Sequence, residues 1–306
     1  MDLDEKKVRD NLDNLFKEVR EYRSCDKFKE ILDFVKKFRN IAPYNAMLLN
    51  IQKPGSKYVA TAEEWRRDFG RTVKVGARPL VTLFPFGPVR IVFELNDTEG
   101  AEFPAAMLNP FHTENKTVKE SKFTNFLRNI KFDGVHYGET DYGTESAGFI
   151  THSSSHGEQT VDTSLSTYYL QTLYEIRVNA NLPVTSKFAT VVHELGHLYC
   201  GHQGAPFRTW WPARILSDTA VKEFEAECVC WLTCERMGIE NPSAEYLSCY
   251  LSENNEIPDI SIEAVMHAAT LVEKRISGSG TDKTRKEITR RVTKPHLKPM
   301  LNKLTG

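Results

Sequence analysis

The stretch ATVVHELGHLYCGH, residues 189–202, constrains this chain most because it sets ionisable side chains within an apolar helical pattern. Four aliphatic residues predict a buried helix here: Val191, Val192, Leu195 and Leu198. Residues four apart share one face of a helix, so His193 and His197 can direct ring nitrogens to a single point. Burying two imidazoles and the carboxylate of Glu194 without partners is costly. The segment therefore needs a partner for these groups.

A divalent metal ion is the partner that this spacing predicts. In the H-E-x-x-H pattern two neutral imidazoles hold Zn²⁺ and the glutamate takes a proton from a water molecule. Glu194 is rotated about 100° from His193 on a helix, so it can reach that water without being a ligand. The pattern arises by chance in roughly one chain in a hundred of this length, so its buried context decides for a metal. We expect His193 and His197 to bind zinc and Glu194 to be catalytic.

The third zinc ligand is sought downstream, because catalytic zinc sites have three protein ligands and an open position. The segment KEFEAECVC places Glu223, Glu225 and Glu227 among apolar residues. Glu223 and Glu227 share a helix face, where like charges are destabilising unless a cation compensates. We assign Glu223 as the third ligand and Glu227 as a carboxylate that supports a ligating histidine. The reverse assignment, and Glu225 as the ligand, stay open.

Cysteine usage indicates reduced thiols. Six cysteines in 306 residues are too few for a disulfide scaffold. Cys228, Cys230 and Cys234 fall in one predicted helix, where Cys-x-Cys points its thiols about 200° apart. Packing in the core is therefore favoured over a thiolate site.

Composition and charge predict a globular protein of the cytoplasm with no membrane contact. The net charge of −1 gives no overall attraction to nucleic acid, so any such preference must be local. The start of the sequence, MDLDEKKVRD, lacks the apolar core of a signal peptide. No window approaches the roughly 20 apolar residues of a membrane span.

The order of patterns predicts an α+β protein with two domains, 1–115 and 116–306, joined by the polar segment HTENKTVKESK. The first domain would be small and built of helices and strands. Its expected helices cover residues 8–19, 28–38 and 62–69, and its expected strands residues 80–84 and 89–95. The second would hold helices at 123–130, 219–237 and 260–276, and a helix that starts near Pro183, Thr185 and Ser186 and runs through the H-E-x-x-H motif. A strand is expected in YEIRVNANL, where it could be the edge strand that pairs with an extended peptide.

The last stretch, Lys274–Gly306, is basic, with ten Lys or Arg against Asp282 and Glu287. It has little apolar periodicity. A solvated tail is the favoured interpretation, with a nucleic-acid-binding arm as the alternative.

A second basic region lies between residues 53 and 90, where eight Lys or Arg oppose three acidic residues and alternate with aromatic residues. Cations neutralise phosphates and aromatic rings stack on bases, which are the needs of single-stranded DNA. The candidate contacts are Lys57, Trp65, Arg66, Arg71, Lys74 and Arg78. The alternative is that the aromatic residues form a core and the charges are merely solvated.

The segments FATVVHELGHLYCGH and KEFEAECVCWLTCERMGI resemble zinc peptidases of the ImmA/IrrE type and the metallopeptidase half of ArdC-type antirestriction proteins. YNAMLLNIQKPGSKYVATAEEW, VKVGARPL and FELNDTEG resemble the N-terminal domain of ArdC-type proteins, which is associated with single-stranded DNA. The resemblance covers roughly residues 40–300. Related peptidases usually have Asp or Asn where this chain has Glu227.

What the resemblance implies is a gluzincin-like zinc metallopeptidase domain that follows a DNA-binding domain. Its metal-binding histidines fall on His193 and His197, and its catalytic glutamate on Glu194. The expected function is zinc-dependent cleavage of a regulatory or DNA-associated protein. The alternative is an antirestriction protein that protects DNA and whose zinc site is structural or vestigial. Peptide cleavage also needs a group that stabilises the oxyanion formed at the carbonyl, and the candidates are Tyr199, His202 and His267.

Overall fold

The computed structural model describes residues 25–38, 41–84, 87–104, 107, 117–143, 146–155, 157–207, 209–215, 218–239, 258–278 and 285–294. These residues form a mixed α+β structure, which agrees with the predicted fold class. The helix expected over residues 8–19 lies outside the described residues.

The helices are α1 (Cys25–Lys37), α2 (Pro43–Gln52), α3 (Ala62–Phe69), α4 (Glu120–Ile130), α5 (Val184–Tyr199), α6 (Thr219–Met237) and α7 (Ile262–Ser277). The strands are β1 (Val59–Ala60), β2 (Arg71–Val73), β3 (Leu80–Phe84), β4 (Gly87–Glu94), β5 (Thr98–Gly100), β6 (Val135–Thr140), β7 (Gly148–His152), β8 (Glu158–Asp162), β9 (Ser166–Gln171), β10 (Tyr174–Asn179) and β11 (Thr289–Thr293). None of the helices in the described parts of the chain is long and apolar enough to cross a membrane.

The chain divides into two compact units. Unit 1 comprises Met1–Lys119 and Leu182–Glu273, and unit 2 comprises Glu120–Asn181 and Lys274–Gly306. The sequence-based domains 1–115 and 116–306 stay a prediction. In the compact units, residues 182–273, which contain the H-E-x-x-H helix, group with the N-terminal residues.

The N-terminal part of unit 1 is built around a three-stranded antiparallel sheet in the order β1-β4-β3. Helix α3 begins at a capping box, in which Thr61 accepts from the backbone of Glu64 and the Glu64 side chain accepts from the Thr61 backbone. It ends at Gly70, whose φ of 59° reverses the chain into β2. These caps fix both ends of α3 where the sequence predicted them.

Helices α5 and α6 complete the core of unit 1. Helix α6 begins at Asp218, which accepts a hydrogen bond from the backbone of Ala220, and ends at Gly238 with φ of 70°. These bounds match the helix expected over residues 219–237. Near its end the Arg236 guanidinium donates to the backbone carbonyls of Val35, Phe38 and Ile41 at 2.7–2.9 Å. This buried arginine therefore ties α6 to the last turn of α1 and to the residues that follow it.

Unit 2 contains two three-stranded sheets, β6-β10-β7 and β11-β9-β8. Strand β10 pairs parallel to β6 on one side and antiparallel to β7 on the other. The expectation that β10 is an edge strand open to a substrate was therefore wrong, because both of its edges are already hydrogen-bonded. The sequence predicted the strand but could not give its neighbours.

The basic C-terminal stretch is ordered where it is described, contrary to the solvated tail favoured from the sequence. Arg275 forms a buried pair with Asp133 at 2.6 and 2.7 Å, and Arg285 contacts the same carboxylate at 3.0 Å. Strand β11 pairs antiparallel with β9. The side chains of β11 are mostly exposed, so backbone hydrogen bonds to β9 hold it in the sheet. Because no apolar face is buried, the sequence of β11 shows no apolar periodicity.

Candidate metal centre

Helix α5 carries His193, Glu194 and His197 and is held in the core of unit 1 by its aliphatic residues. All four that the sequence indicated are 0% exposed: Val191, Val192, Leu195 and Leu198. Burying a side chain of this size stabilises the fold by about 1.5–3 kcal/mol. That stabilisation offsets the cost of taking polar groups of the same helix out of water.

Gly196 lets α5 and α6 approach closely. A Cβ at Gly196 would lie 3.0 Å from Cα of Ala226 and 3.3 Å from Cβ of Val229. Neither helix can move away without opening the core, so a larger residue would be strained here. The close approach brings Glu223 on α6 to the two histidines of α5.

Three side chains converge in the arrangement expected of metal ligands. Nε2 of His193 lies 3.2 Å from Nε2 of His197, and the carboxylate oxygens of Glu223 lie 3.6 and 3.5 Å from these two nitrogens. Ligand atoms bound about 2 Å from a metal at tetrahedral angles lie about 3.3 Å apart. The observed spacing therefore fits a small divalent ion. His193, His197 and Glu223 are possible metal-binding residues.

The electrostatics of this group also favour a cation. Burial disfavours protonated His193, but its hydrogen bond with Glu223 and the charges of Glu227 and Glu194 outweigh burial and raise its pKa to about 9. Hydrogen bonds from His193 and His197 lower the pKa of Glu223 despite its partial burial. The site therefore stabilises positive charge at its centre, as a set of cation ligands does.

Glu227 lies on the other side of the His193 ring. Its Oε1 is 3.4 Å from Nδ1 of His193, whereas Glu223 faces Nε2. Its Oε2 is buried and has no hydrogen-bond partner among the described residues. This is the placement expected for a carboxylate that orients the His193 ring through one oxygen, while its other oxygen stays unpaired among the described residues.

Glu194 is 7% exposed and close enough to His193 for its charge to raise the pKa of that ring. It lies on the next position of α5, as the H-E-x-x-H pattern requires. A partly desolvated carboxylate beside the three converging ligands is positioned to exchange a proton with a water molecule there.

Sequence reasoning missed a buried chain of polar groups behind His197. Nδ1 of His197 is 3.0 Å from Nδ1 of His202, and Nε2 of His202 is 2.7 Å from Oε2 of Glu225. Arg214 binds both oxygens of Glu225 at 2.5 and 2.7 Å, and the backbone N–H of Ser261 donates to Oε1 at 2.6 Å. Glu225 is thus directed away from the converging ligand atoms. The sequence could have indicated this, because Glu225 is rotated about 200° around the helix from Glu223 and therefore cannot share the partners of Glu223.

Hydrogen bonds keep the Glu225 carboxylate charged in this buried row of polar groups. Burial alone would raise the pKa of its carboxyl, but the hydrogen bonds from His202 and Arg214 outweigh burial and lower it. Burial, which is the larger influence, lowers the pKa of His202. A neutral imidazole between a charged carboxylate and His197 is consistent with both directions.

Gly201 allows Arg214 to reach Glu225. With φ of 84°, Gly201 reverses the chain after α5, and a Cβ there would lie 1.9 Å from the carbonyl oxygen of Pro212. The backbone N–H of Arg214 donates to the Gly201 carbonyl at 2.8 Å. Only glycine fits this approach, so the loop before α6 depends on it.

The three oxyanion candidates lie in different surroundings. Tyr199 is 1% exposed and its ring packs against Trp211. His202 is buried on the Nδ1 side of His197, away from Nε2, which removes it as an oxyanion group. His267 is exposed and lines a cavity of about 490 Å³ together with Trp210, Trp211 and Arg214.

The nucleic-acid candidates divide into exposed and engaged residues. Lys57, Arg66 and Arg78 are exposed. Arg71 donates to Thr98 at 2.8 Å, and Nζ of Lys74 donates to the Asn96 carbonyl at 2.9 Å. Two of the five basic candidates are therefore hydrogen-bonded within the chain.

Trp65 is a core residue, which corrects its assignment as a stacking surface. It is 0% exposed, packs against Tyr58, Phe69 and Phe103, and donates from Nε1 to the Phe93 carbonyl at 2.9 Å. A base cannot stack on a ring that has no exposed face. The aromatic spacing of a core and that of a stacking platform look alike in sequence.

Two solved structures of the antirestriction protein ArdC from the R388 plasmid are similar to this chain. The metal-free structure has a TM-score of 0.34 and 13% identity, and covers 76% of this chain and 83% of ArdC. The Mn(II)-bound structure has a TM-score of 0.34 and 14% identity, and covers 81% of this chain and 93% of ArdC.

No family model and no curated protein matches the sequence. The structural neighbours thus include ArdC, as the sequence resemblance suggested. The ImmA/IrrE part of that resemblance has no support from these comparisons.

Proposed function

We propose that this chain is a metal-dependent hydrolase that cleaves peptide bonds, with Zn²⁺ held by His193, His197 and Glu223. The observation that supports the proposal is the convergence of three ligand atoms within 4.8 Å of one another, beside the carboxylate of Glu194. The H-E-x-x-H pattern in a buried helix is typical of zinc peptidases. The proposed substrate is accordingly a peptide or protein.

The side chains divide the chemical work. A zinc ion in such a site lowers the pKa of a bound water to about 7 and polarises a carbonyl group. One carboxylate oxygen of Glu194 accepts a proton from the attacking water, and Glu194 then delivers a proton to the leaving amine. Glu227 holds the ring of His193 in orientation through Nδ1, so that Nε2 is directed at Glu223 and His197.

A Glu194→Gln variant tests this proposal. It removes the proton acceptor but none of the three ligands, so zinc content should stay at the wild-type level while peptide cleavage is lost. The measurement is zinc stoichiometry together with mass spectrometry of new peptide ends in a peptide library. Cleavage that persists undiminished in Glu194→Gln would refute the role of Glu194.

A second candidate is protection of DNA from restriction, in which the metal centre has no catalytic part. The observation that favours it is the exposed charge of Lys57, Arg66 and Arg78 in the basic region. Single-stranded DNA is the proposed partner. Restriction protection in cells separates the two candidates, because full protection by Glu194→Gln would assign the biological effect to DNA binding.

A further inference from the structure

We propose that His202 is a positioning residue for His197: it accepts a hydrogen bond from Nδ1 of His197 and is itself anchored by Glu225. The inference rests on the proposed metal centre. It extends that centre through Glu225 to Arg214, by contacts of 3.0, 2.7 and 2.5 Å. Its consequence is that the orientation of one ligand is decided by residues that do not touch the metal.

The direction of each hydrogen bond follows from the first. A neutral histidine that offers Nε2 to a metal carries its proton on Nδ1, and the Nδ1–H of His197 points at Nδ1 of His202. His202 must accept there, so its own proton is on Nε2. That proton is donated to Oε2 of Glu225. Donors and acceptors alternate along the chain, and no two donors oppose each other.

Glu225 is the fixed end of this series of hydrogen bonds. Its side chain is 0% exposed, and it accepts from both arms of the Arg214 guanidinium and from the Ser261 backbone. A bidentate pair of this kind restricts rotation of the carboxylate. A buried network stabilises one geometry when every group has its partner. The imidazole of His202 therefore has a single favourable orientation.

A rival interpretation makes Cys200, His202 and Glu225 a second metal site, since their ligand atoms also lie within 4.8 Å of one another. The positive guanidinium of Arg214 is 2.5 Å from the same Glu225 oxygen that faces His202, which disfavours a cation there. The contacts favour a support for His197 over a second ion.

The test compares two substitutions of His202 in the full chain. His202→Leu keeps an apolar volume but can neither accept from His197 nor donate to Glu225. We expect zinc affinity, measured by competition with a chromophoric chelator, to fall about 10–100-fold. The visible absorption of the Co²⁺-substituted protein should change as well. His202→Gln keeps one acceptor and one donor, and should bind zinc several-fold more tightly than His202→Leu.

Leu232→Ala is the matched control, because Leu232 is fully buried on the same helix as Glu225. It should lower thermal stability yet leave zinc affinity and the Co²⁺ spectrum unchanged. Equal losses in His202→Leu, His202→Gln and Leu232→Ala would reduce His202 to packing and overturn the proposal. Wild-type affinity and spectrum in His202→Leu would overturn it while leaving the metal centre intact.

Metal stoichiometry separates the remaining outcomes. One ion per wild-type chain supports the proposal. Two ions, of which one is lost in His202→Leu, would make His202 a ligand and overturn its positioning role. No bound ion in the wild-type protein would refute the proposed function and this inference with it.

Discussion

The helix pair α5–α6 and the basic segment between residues 53 and 90 both place many charged side chains close together in the sequence, but the fold uses them differently. In the helix pair Glu194, His202 and Glu225 are buried, and two partly buried histidines and the half-exposed Glu223 converge on one point. In the basic segment the charges lie at the surface or pair with nearby residues. Burial makes a spacing pattern informative, because a buried charge must have a partner. A surface charge carries no such requirement.

The basic segment shows how local pairing reduces an apparent charge surplus. Lys53 contacts Asp97 at 2.6 Å, Arg67 contacts Asp68 at 2.6 Å, and Arg90 pairs with Glu64. Counting residues gave a surplus of five. The charge available to a phosphate is smaller, and it is concentrated on residues without such partners in the described contacts, such as Lys57.

The largest expected effect is loss of the metal when both histidines are replaced. A variant with His193→Ala and His197→Ala should bind no stoichiometric zinc, because two of three ligand atoms are gone. Metal analysis of the purified protein is the measurement. Zinc retained at one ion per chain in this variant would show that the site lies elsewhere.

The next effect concerns the basic segment and bears on stability. Trp65→Ala should lower the free energy of unfolding by about 3–5 kcal/mol, as truncation of a buried aromatic residue does. Denaturant unfolding is the measurement. Val75→Ala, at a fully exposed position, is the control and should change stability by less than about 0.5 kcal/mol. A folded Trp65→Ala protein of wild-type stability that had lost DNA binding would restore Trp65 as a contact.

The third effect ranks the two glutamates beside His193. Glu223→Ala should weaken zinc binding by more than about 100-fold, whereas Glu227→Ala should weaken it by about 10–100-fold, because Glu227 contacts the ring through Nδ1. Chelator competition measures both. If Glu227→Ala is the more damaging substitution, its unpartnered Oε2 is the ligand and the two roles are exchanged.

The smallest effect is on salt dependence of DNA binding. Replacing Lys57, Arg66 and Arg78 with Ala should reduce the slope of log affinity against log salt by about 2, at about 0.7 per phosphate contact on a single strand. Titration of a single-stranded oligonucleotide at several salt concentrations measures it. Arg67→Ala removes a charge already paired with Asp68 and serves as the control. An unchanged slope in the triple variant would leave DNA binding without support from these residues.

The sequence predicted the elements of the site better than its connections. Cap residues and helical spacing predicted the start of α5 and both ends of α6, and the paired acidic residues of α6 led to Glu223 as the partner of His193 and His197. The sequence could not show that His202 turns back toward His197, because that contact depends on the left-handed turn at Gly201. Arg214 reaches Glu225 through a loop with no periodicity. Such contacts are set by tertiary structure rather than by local pattern.

In unit 2 the same limit appears at the level of sheets. Strand β10 was predicted from its composition, but its central place between β6 and β7 depends on pairings with residues more than 20 positions away. Strand β11 escaped detection because its exposed basic residues, such as Arg291, do not alternate with apolar ones. Backbone hydrogen bonds between strands do not depend on the side chains, so the pattern of apolar and polar residues does not reveal which strands pair.

The close contact at Gly196 has a consequence for the choice of ion. The packing of α5 against α6 determines how far Glu223 lies from the two histidines. A methyl carbon at Gly196 would meet Cα of Ala226 at 3.0 Å, so Ala226 would have to shift by a few tenths of an ångström. Zinc–ligand bonds are about 2.0–2.2 Å long and calcium–oxygen bonds about 2.3–2.6 Å, a difference of the same size. For the proposed metal centre we therefore expect the close packing at Gly196 to favour the shorter ligand distances of zinc over those of calcium, although Gly196 itself binds no metal.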